Sequence, residues 1–263
     1  MNPPVAVTIA GSDSGGGAGI QADLKTFAAL RTYGASVVTA VTAQNTRDVR
    51  DIFALPANVV GAQVDAVLDD LPVAAVKVGM LATADIAGAV AVRARAGRLP
   101  NLVLDPVLTA TTGRRLGVVA AIERLLPYAT VVTPNAAEAA EILGFPIRST
   151  DDMAKAAAQL GAAGPKAVVV TGADMSGADD VVVDVVWTPC ETRLLSHPRL
   201  PTRNTHGTGC TYSAAVASRL AAGDDVLDAI RHAEAYVGRA LAGARDWRIG
   251  NGAGPLDHFG WSV

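Results

Sequence analysis

Short β-branched apolar runs alternate along this chain with longer stretches in which Ala, Leu and Val recur at helical spacing. The runs at 5–10, 36–43, 74–78, 102–104, 130–133 and 167–171 predict strands buried on both faces. The stretches near 20–32, 58–70, 85–96, 118–126, 136–143, 151–163, 209–222 and 226–243 predict helices. Two later runs, 181–187 and 192–197, are separated by Thr188, Pro189, Cys190 and Glu191 and predict an antiparallel hairpin. Strands alternating with helices imply βαβ units, and hence an α/β fold whose mostly parallel sheet is covered on both faces. No repeat, low-complexity tract or Pro/Ser-rich linker interrupts the pattern, so residues 1–263 read as a single domain.

Glycines, amides and carboxylates collect just past the ends of the predicted strands. Gly11, Ser12 and Asp13 come after the first run, and Gln44 and Asn45 after the second. Gly79 and Met80, then Asp105, then Pro134 and Asn135 succeed the next three. In a parallel sheet all of these lie at the carboxyl edge, where such folds bind ligands. Strands also end in polar loops for purely structural reasons.

Composition narrows the function classes. With 22 Lys and Arg against 25 Asp and Glu, the net charge of −3 lacks the basic surplus of a nucleic-acid binder. Half the residues are apolar but only 4% are aromatic, so the core is built from aliphatic side chains. No apolar stretch approaches a membrane span, and the first ten residues lack the basic start of a signal peptide. The expectation is a soluble cytoplasmic protein without membrane or nucleic-acid partners. Cys190 and Cys210 have no CxxC spacing, and they imply no disulfide or zinc framework.

Three segments carry candidate chemistry. The glycine-rich stretch from Gly11 to Gly19 lacks the Lys and Ser/Thr of a P-loop, because Ile20 and Gln21 come after its last glycine. It reads equally as a tight turn or as a backbone surface approaching a flat ligand. In Asn204-Thr205-His206-Gly207-Thr208-Gly209-Cys210-Thr211, two glycines flank Thr208 just before a helix. That places unpaired N–H groups at the positive end of the helix dipole, an anion hole for a transferring phosphoryl group. The same dipole is expected to favour the Cys210 thiolate, whereas a bland reading makes Cys210 an inert, buried helix-entry residue. Asp105, Asn135 and Glu138 offer oxygen ligands on adjacent strand ends, as Mg²⁺ prefers. Asn135 and Glu138 are also spaced as a capping box.

Together these segments resemble the hydroxymethylpyrimidine/phosphomethylpyrimidine kinases of thiamine biosynthesis. The resemblance runs from Ala10-Gly11-Ser12-Asp13-Ser14-Gly15-Gly16-Gly17-Ala18-Gly19-Ile20-Gln21-Ala22-Asp23-Leu24-Lys25 through Ala40-Val41-Thr42-Ala43-Gln44-Asn45-Thr46 and Lys77-Val78-Gly79-Met80-Leu81. It continues through Leu104-Asp105-Pro106-Val107, Thr133-Pro134-Asn135-Ala136-Ala137-Glu138, the Thr205–Thr211 segment and the closing Gly252-Ala253-Gly254-Pro255-Leu256-Asp257-His258-Phe259. The resemblance implies a ribokinase-like three-layer sandwich with a central, mostly parallel sheet flanked by helices. Its implied activity is transfer of phosphate from ATP, with Mg²⁺, to a hydroxymethylpyrimidine and then to its monophosphate.

Residue by residue, Gly11, Ala18 and Asp23 would border the pyrimidine, with Asp23 accepting from the ring amino group. Gln44 would bind the ring edge, and Met80 and Val107 would sandwich its faces. Gly207, Thr208, Gly209 and Cys210 would form the anion hole, with Cys210 as base. Asp105, Asn135 and Glu138 would organise Mg²⁺, partly through water. An edge hairpin of this superfamily often pairs subunits, which implies a homodimer. One departure stands out: Glu234 occupies the place of a lysine that many relatives direct at nucleotide phosphates. The rival readings are a pyridoxal kinase on the same fold and a non-catalytic pyrimidine-binding protein.

Overall fold

The computed structural model describes residues 2–109, 113–173, 175 and 180–262. The first and last positions of the single-domain expectation lie outside these residues. Nine strands form one sheet: β1 (Val5–Asp13), β2 (Tyr33–Gln44), β3 (Val49–Ala54), β4 (Val73–Val78), β5 (Val103–Leu104), β6 (Val131–Val132), β7 (Ala167–Val170), β8 (Val181–Trp187) and β9 (Thr192–Pro198). Their order is β3-β2-β1-β4-β5-β6-β7-β8-β9. Strands β2, β1, β4, β5, β6 and β7 run parallel, while β3, β8 and β9 add antiparallel edges.

The helices are α1 (Gly19–Ala29), α2 (Ala57–Asp70), α3 (Ala84–Arg95), α4 (Val119–Glu123), α5 (Ala136–Leu143), α6 (Thr150–Gly161), α7 (Thr208–Ala221) and α8 (Val226–Gly243). Alternation along β1 divides the core. Val7 and Ile9 join the cluster under α2, α3 and α6, and Ala6 joins the cluster under α7 and α8. Both faces of the sheet are therefore covered, as continuous apolar runs require. This is the expected three-layer α/β sandwich.

Two departures from the sequence pattern have physical causes. Strand β3 escapes the pattern because Arg50 and Asp51 break its apolar run, and three of its six residues are exposed. The stretch predicted helical at 118–126 closes early. Pro127 comes next, and only a single 3₁₀ turn, Leu126–Tyr128, succeeds α4.

Strand β1 also runs past its predicted end at Ala10, to Asp13. A register shift between Ala10 and Ser12 lets Ser12 and Asp13 pair with Val41 and Thr42 of β2. Strand order reverses around β1, which lies between β2 and β4. The carboxyl ends of these strands border a topological switch point, where open α/β sheets bind ligands.

Candidate active site

Two glycine-bearing loops meet at this edge. Gly207, the N-cap of α7, has φ +84°, and no side chain caps the helix. A Cβ on Gly207 would lie 1.9 Å from the Gly17 carbonyl oxygen, so only glycine allows the two loops to touch. Gly19 is equally constrained: at φ +57° its added Cβ would sit 2.3 Å from the Gly11 carbonyl oxygen. At Gly209 such a Cβ would meet nothing within 4 Å. The uncapped start of α7 therefore faces open space, as an anion hole requires.

Asp13 organises the first loop. Its Oδ1 accepts from the Gly15 N–H at 2.8 Å, and its Oδ2 accepts from Gly17 at 3.1 Å and Ala18 at 2.9 Å. His206, buried in the second loop, places Nε2 2.9 Å from the same Oδ2. Although burial opposes ionisation, these bonds and the His206 ring hold the Asp13 carboxyl below its usual range. Carboxylate and imidazole thus tie the loops together. Both lie in segments that the sequence singles out, but neither carries a role of its own there. The strand extension that brings Asp13 inside, and the 193-residue separation from His206, are not features of local pattern.

Beneath the loops lies a buried charge cluster. Lys77 on β4 is wholly enclosed, with Nζ 2.9 and 3.0 Å from the two carboxylate oxygens of Asp23 on α1. The register places Lys77 beside Thr8 of β1, whose hydroxyl donates to Asp23 at 2.6 Å. Asp105 lies 3.6 Å from Lys77 and accepts from the Ser213 hydroxyl of α7 at 3.0 Å. A Cβ on Gly79 would come within 2.9 Å of the ammonium, so this glycine leaves Lys77 its room. Burial opposes the charge of the lysine, but the Asp23 and Asp105 carboxylates beside it raise its pKa.

This geometry corrects the reading of Asp23. It is fully buried, and its oxygens are engaged by Lys77 and Thr8, so it does not face a ring amino group. It anchors Lys77 instead. Lys77 stands out in the sequence only as part of a longer motif, because an apolar run does not show which distant carboxylates will meet its one charge.

The expectation of a resting Cys210 thiolate is also corrected. Cys210 is half-buried, near Lys77 and in reach of the Gly19 N–H. Desolvation, with Asp105 and Asp23 nearby, outweighs both and pushes the thiol up to about 12. In the free site it is a neutral thiol.

The remaining candidates gather around the loops to different degrees. Gln44 ends β2, half-buried, with its amide 3.4 Å from His206 Nε2 and 3.1 Å from the Thr42 hydroxyl. Met80 is buried against Gly11, whose added Cβ would lie 3.0 Å from the methionine sulfur. Ala18 precedes α1, with its N–H on Asp13. Val107 is half-buried just after Asp105, to whose carbonyl its N–H donates. Thr208 turns its hydroxyl to the Thr205 carbonyl at 2.7 Å.

Asn135 and Glu138 form the full capping box of α5. Asn135 Oδ1 accepts from the Glu138 N–H at 2.8 Å, and Glu138 Oε2 accepts from the Asn135 N–H at 3.0 Å. With Asp105 bonded to Ser213 and beside Lys77, direct coordination by these three does not fit. Among the described residues no trio of His, Cys, Asp or Glu is arranged for a metal ion. Mg²⁺ needs only one or two protein groups when phosphates and waters complete its shell.

Glu234 lies within electrostatic range of His197 and Asp184 on the β8–β9 hairpin. Among the described residues no helix is long and apolar enough to cross a membrane.

Comparison with known proteins bears on this arrangement. Residues 13–257 match the profile of the phosphomethylpyrimidine kinase family. The chain is 47% identical to the hydroxymethylpyrimidine/phosphomethylpyrimidine kinase of Rhizobium meliloti, with 97% of each chain covered. It is 45% identical to the kinase of the same name from Streptomyces coelicolor, covering all of this chain and 97% of that one. Among solved structures it resembles phosphomethylpyrimidine kinase from Clostridium difficile, at 37% identity and TM-score 0.78, covering 90% of this chain and 99% of the other. It also resembles an ADP complex of Bacillus subtilis pyridoxal kinase, at 35% identity and TM-score 0.87, covering 97% of both chains.

Proposed function

The chain belongs to the phosphomethylpyrimidine kinase family, and from that premise we propose that it phosphorylates hydroxymethylpyrimidine and then its monophosphate, using ATP, in thiamine biosynthesis. The observation that carries this reading is the uncapped start of α7, seated on the glycine loop of β1, with Cys210 in its first turn.

Phosphoryl transfer is mostly positioning and charge stabilisation. The γ-phosphoryl group lies over residues 207–210, where backbone N–H groups and the helix dipole meet its equatorial oxygens. Asp105 and Glu138 are the residues that would hold Mg²⁺ through waters, and the ion would supply charge neutralisation at the nucleotide phosphates. The pyrimidine lies beneath the first loop, with Met80 and Val107 against its faces and Gln44 at its edge. An amide suits that edge, since it offers a donor and an acceptor to a ring nitrogen and its exocyclic amine.

Cys210 touches the substrate hydroxyl. As a neutral thiol it does not remove the proton beforehand. Its sulfur accepts the hydroxyl hydrogen bond and aligns the oxygen for in-line attack. In a loose transition state the nucleophile keeps its proton until late, so little base strength is required. The proton then leaves to a phosphate oxygen.

Residues 1–263 act as one kinase unit in the cytoplasm, and the protein pairs as a homodimer through its β2–β3 edge. Phe53, 68% exposed, stands opposite Val41, 48% exposed, and supports that pairing. Light scattering of wild type and Phe53→Glu tests it, and a monomeric wild type would refute it.

Side-by-side ADP release with hydroxymethylpyrimidine, its monophosphate, pyridoxal and ribose tests the activity. Turnover of the two pyrimidines well above the others is expected. Turnover of pyridoxal alone would favour the pyridoxal kinase reading. Binding without turnover would favour a pyrimidine-binding protein.

A further inference from the structure

His206 supports more than a contact between two loops. Asp13 Oδ2 already accepts from the N–H groups of Gly17 and Ala18, so this carboxylate is an acceptor. The His206 atom 2.9 Å away is Nε2, and it must therefore carry a proton and donate. That assignment has a consequence for Gln44. The Gln44 group 3.4 Å from the same Nε2 cannot be the amide nitrogen, since two donors would then face one another. The network calls for the amide oxygen there, half a rotation from the orientation in which the nitrogen faces the ring; the two ends of an amide are assigned from their hydrogen-bond partners.

The other end of the amide agrees. Thr42 donates its single hydroxyl proton to the Ser12 carbonyl at 2.9 Å, which leaves its oxygen as an acceptor. The partner 3.1 Å away at Gln44 must then be a donor, the amide nitrogen. Both neighbours demand one orientation. With nitrogen towards Thr42 and oxygen towards His206, where it shares the one Nε2 proton that Asp13 accepts at shorter range, no two donors and no two acceptors face one another in the chain Asp13–His206–Gln44–Thr42–Ser12.

We infer that His206 is a positioning residue for substrate selection: by donating to Asp13 it fixes which end of the Gln44 amide accepts and which donates, and so sets the order in which a heteroaromatic ring edge must present its own donor and acceptor. An aminopyrimidine carries a ring nitrogen acceptor beside an exocyclic amine donor. A pyridine alcohol bearing a phenolic oxygen presents a different order. Because His206 immediately precedes the anion-hole residues, the selecting amide and the phosphate-gripping loop share one strut. This rests on the reading of Gln44 as a substrate-binding amide.

The test has an arm that needs no substrate. Nitrogen-15 long-range NMR of the free enzyme should show a proton on His206 Nε2, and an unprotonated Nε2 would overturn the inference. Kinetically, His206→Leu should raise the KM for the aminopyrimidine alcohol about fivefold, the worth of one hydrogen bond of about 1 kcal/mol, with kcat changed less. The preference over pyridoxal should shrink by the same factor. His206→Gln, whose amide nitrogen can replace Nε2 as donor, should restore both. Equal losses in kcat for both alcohols would mark a merely structural role and overturn it. Gln44→Ala separates the role of the amide from that of the histidine. If it leaves the pyrimidine KM unchanged, the Gln44 reading fails and this inference with it. If it raises KM while His206→Leu does not, the inference alone fails.

Discussion

Lys77 Nζ lies within 3.0 Å of both carboxylate oxygens of Asp23, and neither side chain has any exposed surface. The pair sits under the meeting point of the two glycine-bearing loops, fastened by Thr8 and flanked by Asp105. A buried pair adds little or no stability relative to well-packed apolar residues, but breaking it is expensive, because one charge is left without compensation. Lys77→Met should therefore lower unfolding stability by about 3–5 kcal/mol in urea titrations. Lys77→Met combined with Asp23→Leu should recover most of that loss. If the double variant were no more stable than the single one, the pair would not be the source of the penalty.

The glycines of the anion hole make opposite demands. Gly207→Ala must place a methyl against the Gly17 carbonyl while holding a positive φ, which should cost at least ~1–3 kcal/mol and most of the activity. Gly209→Ala has room, and its helical position should leave stability unchanged or improved by up to about 1 kcal/mol. Its methyl would nonetheless project into the space assigned to the phosphoryl group, so kcat should fall at least tenfold. Thermal melts beside ADP-release rates would separate the two effects.

Cysteine reactivity discriminates between the resting thiol and the thiolate. Alkylation proceeds through the thiolate, and Cys210 is held near 12 by its surroundings, whereas Cys190 is exposed. Iodoacetamide at pH 8, followed by peptide mass spectrometry, should label Cys190 first and leave activity intact while Cys210 remains unmodified. Rapid labelling of Cys210 with matching inactivation would mean that the thiolate is already present.

The hairpin cluster predicts a pH effect. The Asp184 carboxylate, 3.7 Å from Nε2, raises the pKa of His197 above its usual 6.5, against the opposing influence of burial. A raised histidine stabilises the fold fully below its unfolded pKa, and this is lost as pH rises through the folded value. The Tm difference between wild type and His197→Ala should thus be larger at pH 5.5 than at pH 9.

Glu234 shares that environment with His197 and Asp184. Glu234→Lys is expected to pair with Asp184 and to leave the ATP KM within about twofold, since ion pairs at partly exposed positions are worth at most ~1 kcal/mol. A much lower KM would mean that this side chain reaches the nucleotide phosphates.

Much of the protein is legible in its linear pattern. Apolar runs of Val, Ile and Ala set the parallel sheet, and the glycines at 207 and 209 mark the uncapped start of α7, because both depend on neighbours a few residues apart. Strand β3 is lost to that view, since Arg50 and Asp51 serve an edge that no local rule identifies. The roles of Asp23, Lys77, Asp13 and His206 are lost to it as well. Each is decided by partners 54 or 193 positions away, brought together only when β1 lies between β2 and β4. The charge state of Cys210 belongs with them. A helix dipole read from sequence favours the thiolate, but burial beside two carboxylates is a property of the packed molecule, and at close range it prevails.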